Sequence, residues 1–292
     1  MSRPSAAHRP RSGEYGVLRR AVQLAVALFY LALPLANAKG LEAVAGTLAS
    51  LKLGPVDLTE PAAGLSAALA AGRVTLALVL GVAPVVLLAL VLGPVFCSWV
   101  CPWGFLSEGI DAVRQRLRPR PWPARSWLAV RRLRWGTLGG LLLLGLLLGA
   151  PLAALVSAPR LASTLALEAF FLKAVSPVTG GLLLSLLALE TFGPRRIWCR
   201  ALCPVGALAN ALRTPRTLRV GYTAESCLHP RVPLCHAGCR WGLDPRAIDR
   251  WDACTNCLAC VDSCPSGALR PVFTPRRAPA AASGATDPGP AG

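Results

Sequence analysis

Histidine is almost missing from this chain. Its three copies, His8, His229 and His236, all lie outside the long apolar runs, which excludes a pair of axial histidines for a haem inside a membrane. No Cys-x2-Cys-His is present for covalent haem attachment. Glycine-rich loops of the Rossmann or Walker type are missing, and no Ser, His and Asp set is available. Hydrolysis, phosphoryl transfer and nucleotide binding are thereby removed. The single methionine, Met1, leaves no Met- or His-rich path for a metal ion such as copper. Acids are scarce as well: 14 Asp and Glu face 31 Lys and Arg, for a net charge of +17.

Charge of either sign is absent from long blocks. Val74–Phe96 and Gly136–Ala158 are 23 residues each without a charged side chain. Ala21–Ala38 is a shorter apolar run, and Ala174–Gly193 carries only Glu190 near its end. About 20 apolar residues in a helix cross a bilayer core of ~30 Å. The pattern therefore predicts four transmembrane helices. A cleaved signal peptide is the rival reading of the first run, because a basic stretch at Arg19–Arg20 precedes it and Ala36–Ala38 reads as a cleavage site.

The basic residues sort by side. Residues 1–20 hold five Arg and one acid, residues 112–135 eight Arg and no acid, and residues 194–219 six Arg and no acid. The loops 39–73 and 159–173 together hold five basic residues and four acids. The positive-inside rule places the N-terminus, the central loop and the C-terminus in the cytoplasm of a bacterium, with the chain in its inner membrane. Lipid headgroups explain Arg runs beside spans better than nucleic acid does, so no nucleic-acid partner is expected. Trp99, Trp103, Trp122, Trp127, Trp135 and Trp198 fall in these flanks, where an interfacial belt is expected.

What is present in quantity is cysteine, 11 residues, and it is patterned. "FCSWVCPWG" (96–104) and "WCRALCPVG" (198–206) both read Cys-x3-Cys-Pro-x-Gly, offset by 102 residues. Each follows an apolar run, so the chain reads as two parallel repeats with both pairs at the same cytoplasmic depth. Residues i and i+4 share a helix face. On that basis Cys97, Cys101, Cys199 and Cys203 are expected to converge on one point. Three chemistries are compatible: a metal or small cluster, a redox-cycling dithiol, or small apolar packing.

The other seven cysteines lie in 227–264. Cys254-x2-Cys257-x2-Cys260-x3-Cys264-Pro265 is the bacterial ferredoxin spacing for cubane iron–sulfur clusters. A zinc knuckle needs four ligands in two separated pairs, and a disulfide framework does not suit a cytoplasmic segment. The companion motif, Cys227-x7-Cys235-x3-Cys239, has Pro230 where a fourth cysteine would stand. In two-cluster ferredoxins the last cysteine of each motif ligates the other motif's cluster. That assigns Cys239, Cys254, Cys257 and Cys260 to a [4Fe–4S] cluster. Cys227, Cys235 and Cys264 remain for a second, [3Fe–4S] or [4Fe–4S] with a non-cysteine ligand. His229 and His236 read as solvent-facing loop residues. Arg240 stands where a Pro usually follows the last cysteine.

Three acids need weighing. Asp57 and Glu60, in "DLTEP" near the outer surface, have capping-box spacing; the preferred reading is structural, with acceptance of protons from a membrane substrate as the alternative. Glu190 is either a functional acid at the membrane edge or one that reaches the interface.

From about Leu18 to Leu269 the chain resembles the NapH-type membrane ferredoxins, quinol dehydrogenase subunits of periplasmic nitrate reductase systems. It is similar to MauN-type proteins of methylamine oxidation and, more distantly, to the membrane part of NosR. The resemblance rests on the four apolar runs, "FCSWVCP", "WCRALCPVGAL", "GPVDLTEP" and the ferredoxin motifs. The incomplete first motif departs from the NapH pattern. The resemblance implies oxidation of membrane quinol, with electrons relayed through iron–sulfur clusters to a periplasmic or membrane redox partner, as a component rather than a stand-alone enzyme. The alternative is a MauN-like maturation factor that supplies electrons or thiol reduction to a periplasmic enzyme. Reduction of a metal ion ranks last.

The expected fold is mainly α: a basic N-terminus (1–20), a four-helix membrane domain of two repeats (21–212), a small α+β ferredoxin-like domain (220–270) and a disordered tail (271–292).

Overall fold

Glu14 opens a helix, α1 (Glu14–Ala38), behind the left-handed Gly13. The computed structural model describes residues 13–39, 44–54, 56–117, 127–227, 234–249 and 251–273. The N-terminal segment 1–12, Trp122, His229 and the tail from 274 lie outside the described residues.

The loop after α1 is not a simple surface excursion. It forms an antiparallel meander of β1 (Val44–Gly46), β2 (Ser50–Leu53) and β3 (Val56–Thr59), with Ala45 opposite Lys52 and Leu51 opposite Leu58. Helix α2 (Pro61–Ala71) follows and then α3 (Leu76–Leu92). The meander folds back onto α3, because Gly81 lacks the Cβ that would stand 2.1 Å from the Asp57 carbonyl oxygen.

A short turn, α4 (Phe96–Trp99), leads to α5 (Pro102–Leu117). The second half opens with α6 (Trp127–Leu148), α7 (Leu152–Leu155) and α8 (Ala158–Leu167). It closes with α9 (Pro177–Phe192), a π-helical turn at Trp198–Leu202 and α10 (Pro204–Ala211). The element order is therefore duplicated. A long helix, a shorter helix with Pro in its first turn, an apolar helix, a cysteine turn and a second Pro-started helix occur twice.

The expected spans need correction in their bounds. Among the described residues α1 alone is long and apolar enough to cross a membrane; α3 and α9 are shorter apolar helices. The run Gly136–Ala158 does not form one helix. Instead α6 starts nine residues earlier, at Trp127, and ends before Gly149 (φ 62) and Pro151. A left-handed glycine followed by proline stops a helix even inside an apolar run.

The C-terminal segment is bounded by a two-stranded sheet, β4 (Arg219–Tyr222) with β5 (Leu269–Val272), Val220 opposite Pro271. Between them lie α11 (Leu234–Gly238) and α12 (Ala259–Asp262). Its apolar cores are built around Leu258, Cys264 and Leu269, and around Trp241, Leu243 and Cys257.

Glu108 of α5 ties these parts together. Its carboxylate receives Arg19 at 2.6 Å and Arg20 at 3.4 Å from α1, Arg240 at 3.5 Å from the C-terminal segment, and Arg196 at 3.9 Å. Burial alone would raise the Glu108 carboxyl. The Arg19 hydrogen bond and the charges of Arg196, Arg19 and Arg240 outweigh it and hold it below the usual carboxylate range. A depressed folded-state pKa stabilises above the unfolded value, and that contribution is lost on acidification through the folded value. Glu108→Ala strands buried guanidiniums and is expected to cost about 3–5 kcal/mol. Denaturation midpoints should show that loss, with Arg131→Ala, which removes an exposed pair to Asp249, close to neutral.

Candidate redox and metal centre

Pro102 and Pro204 shape the two cysteine pairs. A residue before proline is pushed out of the helical region, and proline suits the first position of a helix. Cys203 is accordingly extended (φ −72, ψ 117) and caps α10. Neither pair rides one continuous helix. Cys97 sits in α4 and Cys101 just before α5; Cys199 sits in the π-helical turn and Cys203 just before α10. The expectation of an unbroken i, i+4 face is thus corrected by the prolines.

The four cysteines nevertheless border one place. Cys97, Cys101, Cys199 and Cys203 line a single small cavity of about 20 Å³, walled by Phe96, Trp103, Pro159 and Val205. Trp103 and Trp198 belong to this buried core, not to an interfacial belt. Burial pushes the Cys101 thiol up to about 11 and the Cys203 thiol to about 12. Backbone N–H groups of Gly104 and Trp103 pull Cys101 the other way, as those of Gly206 and Val205 do for Cys203. Reactive dithiols need a lowered pKa and access. Cys101 is buried, whereas Cys97, Cys199 and Cys203 are half-buried.

Glu60 lies in this neighbourhood. It is buried, and it caps α2 itself by accepting the Ala62 N–H at 3.0 Å, with Pro61 at the first helical position. Asp57 is in β3, so the capping-box pairing does not form. The second Glu60 oxygen has no partner, and burial pushes the carboxyl up to about 7. Its charge reaches Cys97, Cys101 and Cys203. Glu190 also points inward, accepting the Ser107 hydroxyl at 3.2 Å, and does not reach an interface.

The C-terminal cysteines gather in two groups. Cys239, Cys254 and Cys257 pack around Trp241 and Leu243, and Cys260 is within electrostatic reach of all three. Cys227, Cys235 and Cys264 meet around Val220 and Leu269. Burial alone would raise Cys264, but hydrogen bonds from Ser266 and from backbone N–H groups at Leu269, Ala268 and Ser266 lower it. His236 is exposed on α11. Among the described residues no three Cys, His, Asp or Glu side chains are grouped as one metal ion requires. A cubane holds its thiolates at separate corners, so the donor chemistry of both groups suits it better than a single ion.

The cysteine turns and the "CTNC" loop touch directly. Ser98, inside the first Cys-x3-Cys, donates to the Thr255 carbonyl at 2.8 Å, and Trp99 donates to the Asn256 carbonyl at 3.1 Å. Asn256 takes the left-handed conformation (φ 50) and donates to Leu92 and Leu218 carbonyls at 3.0 and 2.7 Å. From the second pair, Cys199 packs both against the Trp103 core and against the group holding Cys254 and Cys257. Buried Arg134 donates to the Arg200 carbonyl at 2.9 Å, with Cys97 and Cys203 in electrostatic reach. Ser98, Asn256, Arg134 and Arg200 carry no motif of their own, and local pattern does not mark them.

Comparisons with known proteins cover both cysteine regions. Two 4Fe-4S binding domain models match, one at residues 74–121 and 176–219 and the other at residues 247–270. The methylamine utilization ferredoxin-type protein MauN of Paracoccus denitrificans is 30% identical over 264 residues, 86% of this chain and 76% of that protein. This chain belongs to the NapH/MauN family of ferredoxin-type proteins. The ferredoxin-type protein NapH of Haemophilus influenzae is 28% identical over 218 residues, 74% of this chain and 63% of that protein. The putative electron transport protein YccM of Escherichia coli is 29% identical over 186 residues, 62% of this chain, and the match spans about half (51%) of YccM. No solved structure matches. The chain is thus a ferredoxin-type electron-transfer protein with 4Fe-4S binding domains, and it is mainly helical as expected.

The duplicated glycines differ in tolerance. A Cβ on Gly104 would stand 2.2 Å from the Cys97 carbonyl oxygen, which is backbone and cannot yield. On Gly206 the nearest atoms are at 3.5 and 4.0 Å, the second being the Cys97 sulfur. Gly104→Ala is expected to destabilise by about 1–3 kcal/mol or more, and Gly206→Ala to be near neutral. Thermal unfolding of the two variants side by side checks this; equal effects would contradict it.

Proposed function

We propose that this chain is a membrane electron-transfer subunit that oxidises quinol and relays electrons, one at a time, to a partner redox protein. The observation that supports it most is the contact between both Cys-x3-Cys turns and the "CTNC" loop. In this reading α1, α3, α6 and α9 are the four spans, the termini are cytoplasmic, and 21–212 and 220–270 are the two domains. Helices of 16 to 25 residues are about 24–38 Å long at 1.5 Å per residue, which brackets a bilayer core.

Cys239, Cys254, Cys257 and Cys260 would hold one [4Fe–4S] cluster. Cys227, Cys235 and Cys264 would hold a [3Fe–4S] or [4Fe–4S] cluster. Cys97, Cys101, Cys199 and Cys203 would hold a small cluster between the quinol and the C-terminal clusters. Such groups supply reversible one-electron transfer when bound. The chain's own residues set its conditions. Phe96, Trp103 and Val205 keep water from the four-cysteine cavity. Asn256 fixes the loop of Cys254 and Cys257 against the end of α3. Arg134 and Arg200 set positive charge between the two cysteine groups.

Cys199→Ala tests the relay. The expected result is normal assembly of the C-terminal clusters, read by iron content and EPR after dithionite, with quinol-dependent reduction abolished. Unchanged quinol-dependent reduction would leave Cys199 as packing alone.

Topology is open to a separate check. Reporter fusions after residues 55 and 165 should report outside, and those after 120 and 215 inside. An inside signal at 55 or 165 would place the clusters on the other face.

A second reading, a maturation factor, is favoured by one observation. Two MauN relatives match 86–87% of this chain and a third 60%, against 74% for NapH. Deleting the gene would then leave a partner enzyme without its finished cofactor. Under the first reading the partner is complete but not reduced.

A further inference from the structure

A cavity of about 650 Å³ opens at the charged end of α1, between α5 and the C-terminal segment. Cys239, a proposed cluster ligand, stands on its wall, and the rest of the cavity has no part in the proposed relay. Its size is that of a site for a cofactor-sized molecule or a lipid headgroup.

Its walls are rich in arginine. Arg19, Arg195, Arg196 and Arg240 line it, and Glu108, Asp111 and Asp262 are its carboxylates. Each carboxylate is already engaged. Glu108 is shared by Arg19, Arg20, Arg196 and Arg240. Asp111 takes both Arg195 Nε at 2.9 Å and Nη2 at 2.8 Å. Asp262 accepts the Gly16 N–H at 2.8 Å and so serves the start of α1. Counting Arg20, five guanidiniums share the two carboxylates that remain. Arg19 Nε and Nη2 and Arg196 Nε are buried with no acceptor, so the chain's own acceptors run out along this wall. Arg240, 38% exposed, is positioned to reach a ligand with little further desolvation.

The position adds to the charge. Here α1, the helix long and apolar enough to cross a membrane, has its polar end, where lipid phosphates gather. Guanidinium forks match phosphate oxygens in geometry and charge.

We propose that this cavity binds a phosphate group, carried by an anionic phospholipid or by a soluble phosphate compound. The rival account of the excess charge is that the arginines serve only to balance the cysteine-bound centre, since Arg19 is in electrostatic reach of Cys257.

The test uses the full chain with its clusters loaded, in nanodiscs. In one arm inorganic pyrophosphate is titrated calorimetrically into protein in phosphatidylcholine discs. In the other, native mass spectrometry counts phosphatidylglycerol retained from mixed-lipid discs. Saturable binding is expected in at least one arm. Arg240→Gln should weaken it about tenfold, the worth of one charge-assisted hydrogen bond. Ala112→Glu, an exposed position on the cavity wall, should weaken it similarly without disturbing the fold. Iron content and cluster EPR should match the wild type in Ala112→Glu, whose position lies away from the cysteines. Binding of pyrophosphate alone identifies a soluble phosphate compound; retention of phosphatidylglycerol alone identifies a lipid headgroup. No saturable binding in either arm, or binding that both variants leave unchanged, overturns the proposal in favour of charge balance.

Discussion

The docking of Asn256 on the end of α3 and the start of β4 is the constraint on which the arrangement depends. One amide donates to Leu92 at the end of α3 and to Leu218 at the start of β4. The same loop receives Ser98 and Trp99 from the first cysteine turn. Two cysteine systems far apart in sequence are thereby held against each other. A buried amide with both donors satisfied fixes a single register, because any slip leaves it unpaired in a dry interior. The Glu108 cluster of arginines then secures the outer side of the same junction.

The duplication is close in element order and unequal in detail. Proline follows the second cysteine in both halves and breaks both cysteine turns in the same place. Yet the first turn is α-helical and the second π-helical, and Gly104 is packed on backbone where Gly206 is not. Glu60 brings a carboxylate from the first half, whereas the matching start of α8 offers Ala158. Such inequality gives a four-sulfur cavity two chemically different sides.

Much of this was legible in the sequence. Ligand spacing is a local property, so the ferredoxin motif and the paired Cys-x3-Cys elements could be read from their intervals. Apolar runs marked α3 and α9 within a few residues. The reading of Gly136–Ala158 went wrong because Arg131, Arg132 and Arg134 sit comfortably in α6, while Gly149 ends it early. The meander of β1 to β3 was missed, since strands of three or four residues show little alternation. Contacts such as Arg19 with Glu108, 89 residues apart, leave no local mark.

Seen together, the turns, the loop and the arginines between them form one continuous path from the apolar helices to the C-terminal cysteines. The most direct measurement is an anaerobic redox titration of the wild-type protein followed by EPR. A short-chain quinol analogue is the sole reductant, and dithionite marks the full signal. The account predicts that quinol alone raises the signal of the reduced C-terminal clusters. Clusters that stay oxidised with quinol but reduce fully with dithionite would contradict it.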